Sequence, residues 1–293
     1  MEGDFHARGR QHFGVMNVYE AIKQGGDKVQ PKDDGIEGLT RFAMEVIRRT
    51  GEQALSYYGK GKASLKFDEG LVTEAELHLR ELFQGQLYAQ FPDHQVYSSN
   101  EGYDGYTHEG KRYLWIYDAL DGVANFQAGI PVWGTSVALI ENFWPLFGVF
   151  YMPATKDIFH SRAGQKAFRG GEEIRISQQE SINDESVLLT YSRFHQDYSC
   201  TFPGKVRTFG CTAAHVCYVA MGRAEAAIIA NESYKDLAAA SVIIGAAGGS
   251  ILKMDGTPLF LSDYFDGRKI DEHLLVTAPE KYAEVASFLE RVY

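Results

Sequence analysis

Trp115–Phe126, WIYDALDGVANF, decides the reading of this chain. It opens as an apolar, aromatic run that favours an extended strand, then places Asp118 and Asp121 three apart and follows them with Gly122. At a strand-to-turn corner both carboxylates can leave the sheet edge toward one place. Two carboxylates held together repel unless a proton or a cation lies between them, and an oxygen-rich grouping suits a hard cation such as Mg²⁺. Gly122 lets the backbone approach a ligand closely, and the amides of the turn formed by Gly122, Val123 and Ala124 are candidates for holding a phosphate. Taken alone, the same residues also read as a surface turn in which Asp121-Gly122 supplies only turn chemistry.

Outward from this corner, apolar residues at Leu39, Phe42, Ala43, Val46, Ile47, Ala54 and Leu55 recur with a helical period, predicting a helix over 36–58. A second helix is expected over 72–91, ended by Pro92, with an extended stretch over 94–99 leading to Asn100 and Glu101. Between 112 and 193, short runs such as WGTSVALIE and PLFGVFYM build a sheet. Downstream we expect a helix over 212–221, a strand over 224–230 and a helix over 234–247 that stops at Gly248-Gly249. Strands SILKM and HLLVTA and a C-terminal helix over 279–292 complete the chain. These blocks imply stacked helix and sheet layers. The expected organisation is a polar extension at 1–35, ending in GGDKVQPKDDG, then halves at 36–200 and 201–293.

Composition narrows the functional classes. The chain of 293 residues carries 29 basic and 39 acidic side chains, a net charge of −10, which argues against general affinity for nucleic acid. An acidic total leaves phosphate chemistry open, because a bound cation inverts the local field. Cys200, Cys211 and Cys217 show no paired metal-ligand spacing and are read as free thiols of a reducing compartment. No apolar run has membrane-spanning length, and the opening MEGDFHARGRQHF lacks the apolar stretch of a signal peptide, so a soluble cytoplasmic protein with no membrane partner is expected. Trp115, Trp133 and Trp144 are expected in the core, and His215 and Cys217 are expected to pack rather than ligate.

WIYDALDGVANF resembles the first signature of the inositol monophosphatase superfamily, and KDLAAASVIIGAAGG (235–249) resembles its second. LVTEAE (71–76), the Asn100-Glu101 pair and RTFGCTAAHVCYVAMGRAEAAI (207–228) fall in the family's order around them. The resemblance implies an α/β fold, a layered αβαβα sandwich of the sugar-phosphatase type, and a homodimer. It implies that Asp118, the carbonyl of Leu120, Asp121 and Asp236 bind Mg²⁺, that Asn100 takes the place of a further ligand, and that Lys66 and Asp68 lead to Glu76 near the metals. Gly210, Cys211 and Thr212 stand at the family's substrate-contacting helix start. Read without the family, Asp236 is simply an acidic residue favoured by the dipole of a helix start, and Gly210–Thr212 only begin a helix.

Departures from the pattern bear on catalysis. Asn100 brings no negative charge, and Val123 replaces a hydroxyl that helps orient the attacking water. Ala119 replaces the usual Pro. Lys235 replaces the usual Trp and is expected to extend into solvent, the alternative being attraction of an anionic substrate group. Ile229 lies near the place of the acidic residue by which some inositol phosphatases hold the sugar ring. The leading expectation is metal-dependent hydrolysis of a small phosphorylated metabolite, with Glu76 and Glu101 supporting the water. The rivals are an attenuated or inactive member acting as a ligand-binding or protein-interaction subunit, and a metal site put to other chemistry.

Overall fold

The computed structural model describes residues 35–62, 69–97 and 113–292. Residues 1–34 of the expected extension, together with Lys66, Asp68, Asn100 and Glu101, lie outside them. The first two helices are α1 (Ile36–Ala54) and α2 (Glu69–Gln90). Among the described residues the first sheet has seven strands side by side in chain order: β1 (Gln95–Val96), β2 (Tyr113–Asp121), β3 (Gly134–Glu141), β4 (Trp144–Met152), β5 (Asp157–Arg162), β6 (Ala167–Arg169) and β7 (Glu172–Ile174). The β1–β2 pair is parallel and the rest antiparallel. The short α3 (Val123–Ala128) leaves the end of β2.

The second part supplies β8 (Val187–Thr190), α4 (Phe194–Asp197), β9 (Tyr198–Cys200), β10 (Lys205–Arg207), α5 (Thr212–Ala220), β11 (Ala226–Ile229), α6 (Tyr234–Ala246), β12 (Ser250–Lys253), β13 (Leu274–Thr277), α7 (Tyr282–Ser287) and β14 (Leu289–Arg291). Five of these strands form a sheet in the order β10–β8–β11–β13–β12. The expected halves, divided at residue 200, therefore share this sheet, since β8 precedes the division and its neighbours β10 and β11 follow it.

Side-chain alternation along the strands sorts the layers. Trp115 and Tyr117 of β2 pack with Leu39 and Val46 of α1 and Phe83 of α2. Leu114 and Ile116, on the opposite face, meet Tyr234, Ala238 and Ala239 of α6. α5 and α6 are filled by small and apolar residues, as elements covered on both sides require. Val216, Val219, Leu237 and Ile243 join Phe150 and Phe159 of the first sheet to Leu189, Ile229 and Val276 of the second. The outer face of the second sheet, through Leu188, Ile228 and Leu275, packs against Phe194 and Val285. The result is the expected αβαβα sandwich. Gly148 of β4 shows how closely the middle layer lies on the sheet, because a Cβ there would run into the backbone of Ala239.

Two sequence expectations need correction. The helix predicted over 279–292 is a 3₁₀ turn at Pro279–Lys281 followed by the short α7, and the chain then extends as β14, which pairs with β9. Edge pairing outweighs helix propensity there. Trp144 is 74% exposed, whereas Trp115 and Trp133 are fully buried. Trp144 follows a hairpin tip in which Asn142 and Phe143 both have positive φ, and this carries it beyond the packed part of the sheet.

Candidate functional site

The site begins at a defect in β2. In a regular strand, residues three apart point to opposite faces. Asp118 pairs with Ser136 while Asp121 pairs with Gly134, so three steps on β2 match two on β3, and this bulge re-aims the corner. Asp118 shares the face of Leu114 and Ile116, the side on which α6 lies. The hydroxyl of Thr135 donates to the Asp118 carbonyl at 3.0 Å and steadies the strand. Gly122 then turns with φ 82°, and a side chain there would meet the Val132 carbonyl at 2.9 Å and Cys211 Cβ at 3.0 Å. Glycine is required on both counts.

Three helix beginnings surround this corner. Val123 and Ala124 open α3, while Cys211 and Thr212 enter α5 after Gly210, which has φ 71°. Asn125 ties these two turns together, its Nδ2 donating to the carbonyls of Val132 at 2.7 Å and Phe209 at 2.6 Å. The carboxylate of Asp121 accepts the Thr212 amide at 3.1 Å and the Ala213 amide at 2.5 Å, where the dipole of α5 favours an anion. Asp236 lies in the first turn of α6 and its Oδ2 accepts both the amide and the hydroxyl of Ser233, each at 2.8 Å.

Lys235 corrects the expectation of a solvated side chain. Its Nζ stands 2.8 Å from Asp118 Oδ1, with the carboxylate side chain only 4% exposed and the lysine 33%. The Asp118 charge holds the ammonium above the ordinary lysine range, and Asp236 and Glu76 add to the effect. Burial raises Asp118 itself, against the pull of Lys235. Asp121 is pushed up to about 6 by burial and then by the like charge of Asp118. Glu76, half-buried on α2, is raised mainly by burial and feels Lys235, Asp118 and Asp236, so it joins the cluster as expected.

Glu232 escapes a reading by motif. Ile229, near the place where an acidic residue was sought, is buried in β11. Three residues on, after Asn231 turns with φ 65°, Glu232 is buried and accepts the Thr212 hydroxyl at 2.7 Å. Burial, then the charges of Asp121 and Asp236, push its carboxyl up to about 8. The available signal was Asn231, a residue type that tolerates the left-handed turn needed to bring the chain back toward the corner. His215 packs as expected, accepting the Phe209 amide at 2.9 Å, with burial lowering it to about 4.

The fold brings Asp118, Asp121, Asp236, Glu76, Gly122 and Thr212 to one corner, where the three aspartates are engaged by groups of the chain itself. Asp118 holds an ammonium, both oxygens of Asp121 hold amides, and Asp236 holds Ser233. Among the described residues no group of three or more His, Cys, Asp or Glu side chains is arranged to hold a metal ion. The donor chemistry suits a divalent cation, yet this arrangement does not fit one.

The sequence profile described as the inositol monophosphatase family matches residues 36–287. The chain belongs to that family. A fructose-1,6-bisphosphatase/inositol-1-monophosphatase of Aquifex aeolicus is 30% identical over 86% of this chain and all of its own length. A histidinol-phosphatase of Chlorobaculum parvum is 30% identical over 71% of this chain and 83% of its own. A Nus factor SuhB of Xylella fastidiosa is 28% identical over 58% of this chain and 64% of its own. In fold, the chain is similar to an IMPase of Thermotoga maritima, with a TM-score of 0.69 at 23% identity over 85% of this chain and 95% of that one. The family is generally metal-dependent and its named relatives include phosphatases. Among the described residues no helix is long and apolar enough to cross a membrane.

Proposed function

We propose that this chain binds a small phosphorylated metabolite at the corner of β2 and hydrolyses its phosphate monoester slowly, as an attenuated member of a phosphatase family. The observation that carries this reading is the 2.8 Å contact between Lys235 and Asp118. It places a fixed positive charge where the family resemblance puts a metal ligand. An ammonium has more N–H donors than one carboxylate oxygen uses, and Asp118 is its partner among the described residues. The free donors, with the turn at Gly122 to Ala124, suit a phosphate group.

Hydrolysis is the weakened half. Val123 offers no hydroxyl to orient a water molecule, and loss of a positioned acid/base contribution costs about 10²–10⁴-fold. Phosphate release from a panel of inositol, sugar and histidinol phosphates tests this. We expect turnover below about 1 s⁻¹, the low end of ordinary enzymes, and a gain of about tenfold or more in Val123→Thr. Fast turnover by the unaltered chain, or failure to bind any phosphorylated metabolite, would reject the proposal.

A second reading, full Mg²⁺-dependent hydrolysis, is favoured by the excess of carboxyls, since Glu76, Asp118 and Asp236 all surround the Lys235 ammonium. It requires Lys235 to leave Asp118. Homodimerisation, by family resemblance, and a cytoplasmic location, from composition, are part of the proposal, and sedimentation of the pure chain and cell fractionation check them.

A further inference from the structure

We infer that the Lys235 ammonium is the resident cation of the corner, neutralising Asp118 in place of a divalent metal, so that anion recognition there proceeds without one. The inference takes the identity of the anion from the reading above, but the identity of the cation from contacts within the chain.

Helix chemistry does not explain Lys235. It lies in the first turn of α6, where the dipole disfavours a positive charge, and Asp236 beside it supplies the acidic residue that a helix start prefers. The lysine is held by what faces it. Strand alternation turns Asp118 toward α6, Gly148 and Ala239 let α6 lie directly on the sheet, and the Lys235 side chain therefore reaches a buried carboxylate at 2.8 Å. Asp236 and Glu76 lie within electrostatic reach of the same nitrogen, and Asp236 is shared with Lys269, whose Nζ stands 3.7 Å from its Oδ2.

Competition with a divalent ion is steric as well as electrostatic. Mg²⁺ requires oxygens at about 2.0–2.1 Å in a near-octahedral shell. An ammonium already within hydrogen-bond distance of Asp118 Oδ1 takes that volume. Moving it away would strand a half-buried charge without its partner, which is costly. The other carboxylates give little compensation, because Asp121 is bound by the Thr212 and Ala213 amides and Asp236 by Ser233.

Calorimetric titration of the full chain with Mg²⁺, and with Mn²⁺ followed by electron paramagnetic resonance, reads cation uptake directly. The unaltered chain and Lys235→Arg are expected to take up neither ion at millimolar concentration. Lys235→Gln, which stays polar but is one bond shorter and lacks the charge, is expected to gain uptake by about tenfold or more. Thermal melting verifies that each variant is folded. Titration with inorganic phosphate is expected to be unchanged by a chelator in the unaltered chain and weakened about tenfold or more in metal-free Lys235→Gln. Sub-millimolar uptake of either metal by the unaltered chain, or a folded Lys235→Gln that gains none, would overturn the inference. If no phosphate or ester binds while the metal results come out as expected, the proposed ligand class falls and the ammonium's place as resident cation stands.

Discussion

Among the described residues, Lys281 and Lys235 each pair with a buried carboxylate, and the two pairs do different work. Lys281 meets Glu225 with side chains 8% and 4% exposed. The other oxygen of Glu225 accepts the Ser177 hydroxyl at 2.7 Å, and the Thr277 hydroxyl binds its carbonyl at 2.9 Å. One charge of each sign is present, both are bonded, and the pair fastens the 3₁₀ turn at Pro279–Lys281 to the start of β11. Lys235 and Asp118 sit instead among Glu76, Asp121, Glu232 and Asp236, where carboxyls outnumber the nearby cations Lys235, Lys269 and Arg80. A balanced buried pair holds structure, whereas a pair set among several further carboxyls with raised protonation ranges marks a place where function outweighs stability.

The sharpest way to break this comparison is Lys281→Met. Glu225 would then be a buried carboxylate without its counter-charge, a loss of about 3–5 kcal/mol. Chemical denaturation should show that loss, while phosphate binding by the protein that remains folded should be unchanged. If stability barely moves, or if phosphate binding falls with it, the two pairs cannot be assigned separate roles.

A smaller effect is written in pH. Glu232 is raised from 4.5 to about 8, so the folded chain keeps a proton that the unfolded chain has released between those values. Stability is full below 4.5 and declines as pH rises to about 8, after which this group adds no further slope. The sum is on the order of a few kcal/mol. Glu232→Gln, neutral at every pH and still able to accept from Thr212, should flatten that decline in denaturation measured from pH 5 to 9. An unchanged slope would remove Glu232 from the unbalanced region.

Much of the fold was legible because periodicity survives burial. The apolar spacing of α1 and α2 and the β-rich run after Tyr113 follow from local pattern alone. The C-terminal strand β14 was not legible, because its extended form depends on β9, some 90 residues earlier. At the site, Asp118, Asp121 and Asp236 were named from their motifs, but their partners in the fold were not. The strand alternation that turns Asp118 toward α6 and a helix lying on Gly148 decide where Lys235 points, and neither can be read from residue 235 or its neighbours. Glu232 was missed for a similar reason, since it is carried into the site by the backbone turn at Asn231 rather than by a place in the family pattern.

The smallest prediction separates helix capping from site chemistry at Asp236. Ser233→Ala removes the hydroxyl that donates to Asp236 Oδ2 but leaves the backbone amide that shares the same oxygen. Loss of a helix-start serine costs about 1 kcal/mol, read as a lower melting temperature. Asp236 then has one fewer donor, and the negative surplus around Lys235 grows while the count of charges stays fixed. If that surplus opposes the anion that the Lys235 ammonium attracts, inorganic phosphate should bind slightly more weakly in Ser233→Ala, by about twofold, because an anion meets a less compensated carboxylate. Tighter or unaltered phosphate binding at the same loss of stability would place Asp236 on the structural side of the comparison, with Ser233 and α6, and leave Asp118 and Lys235 as the pair that faces the ligand.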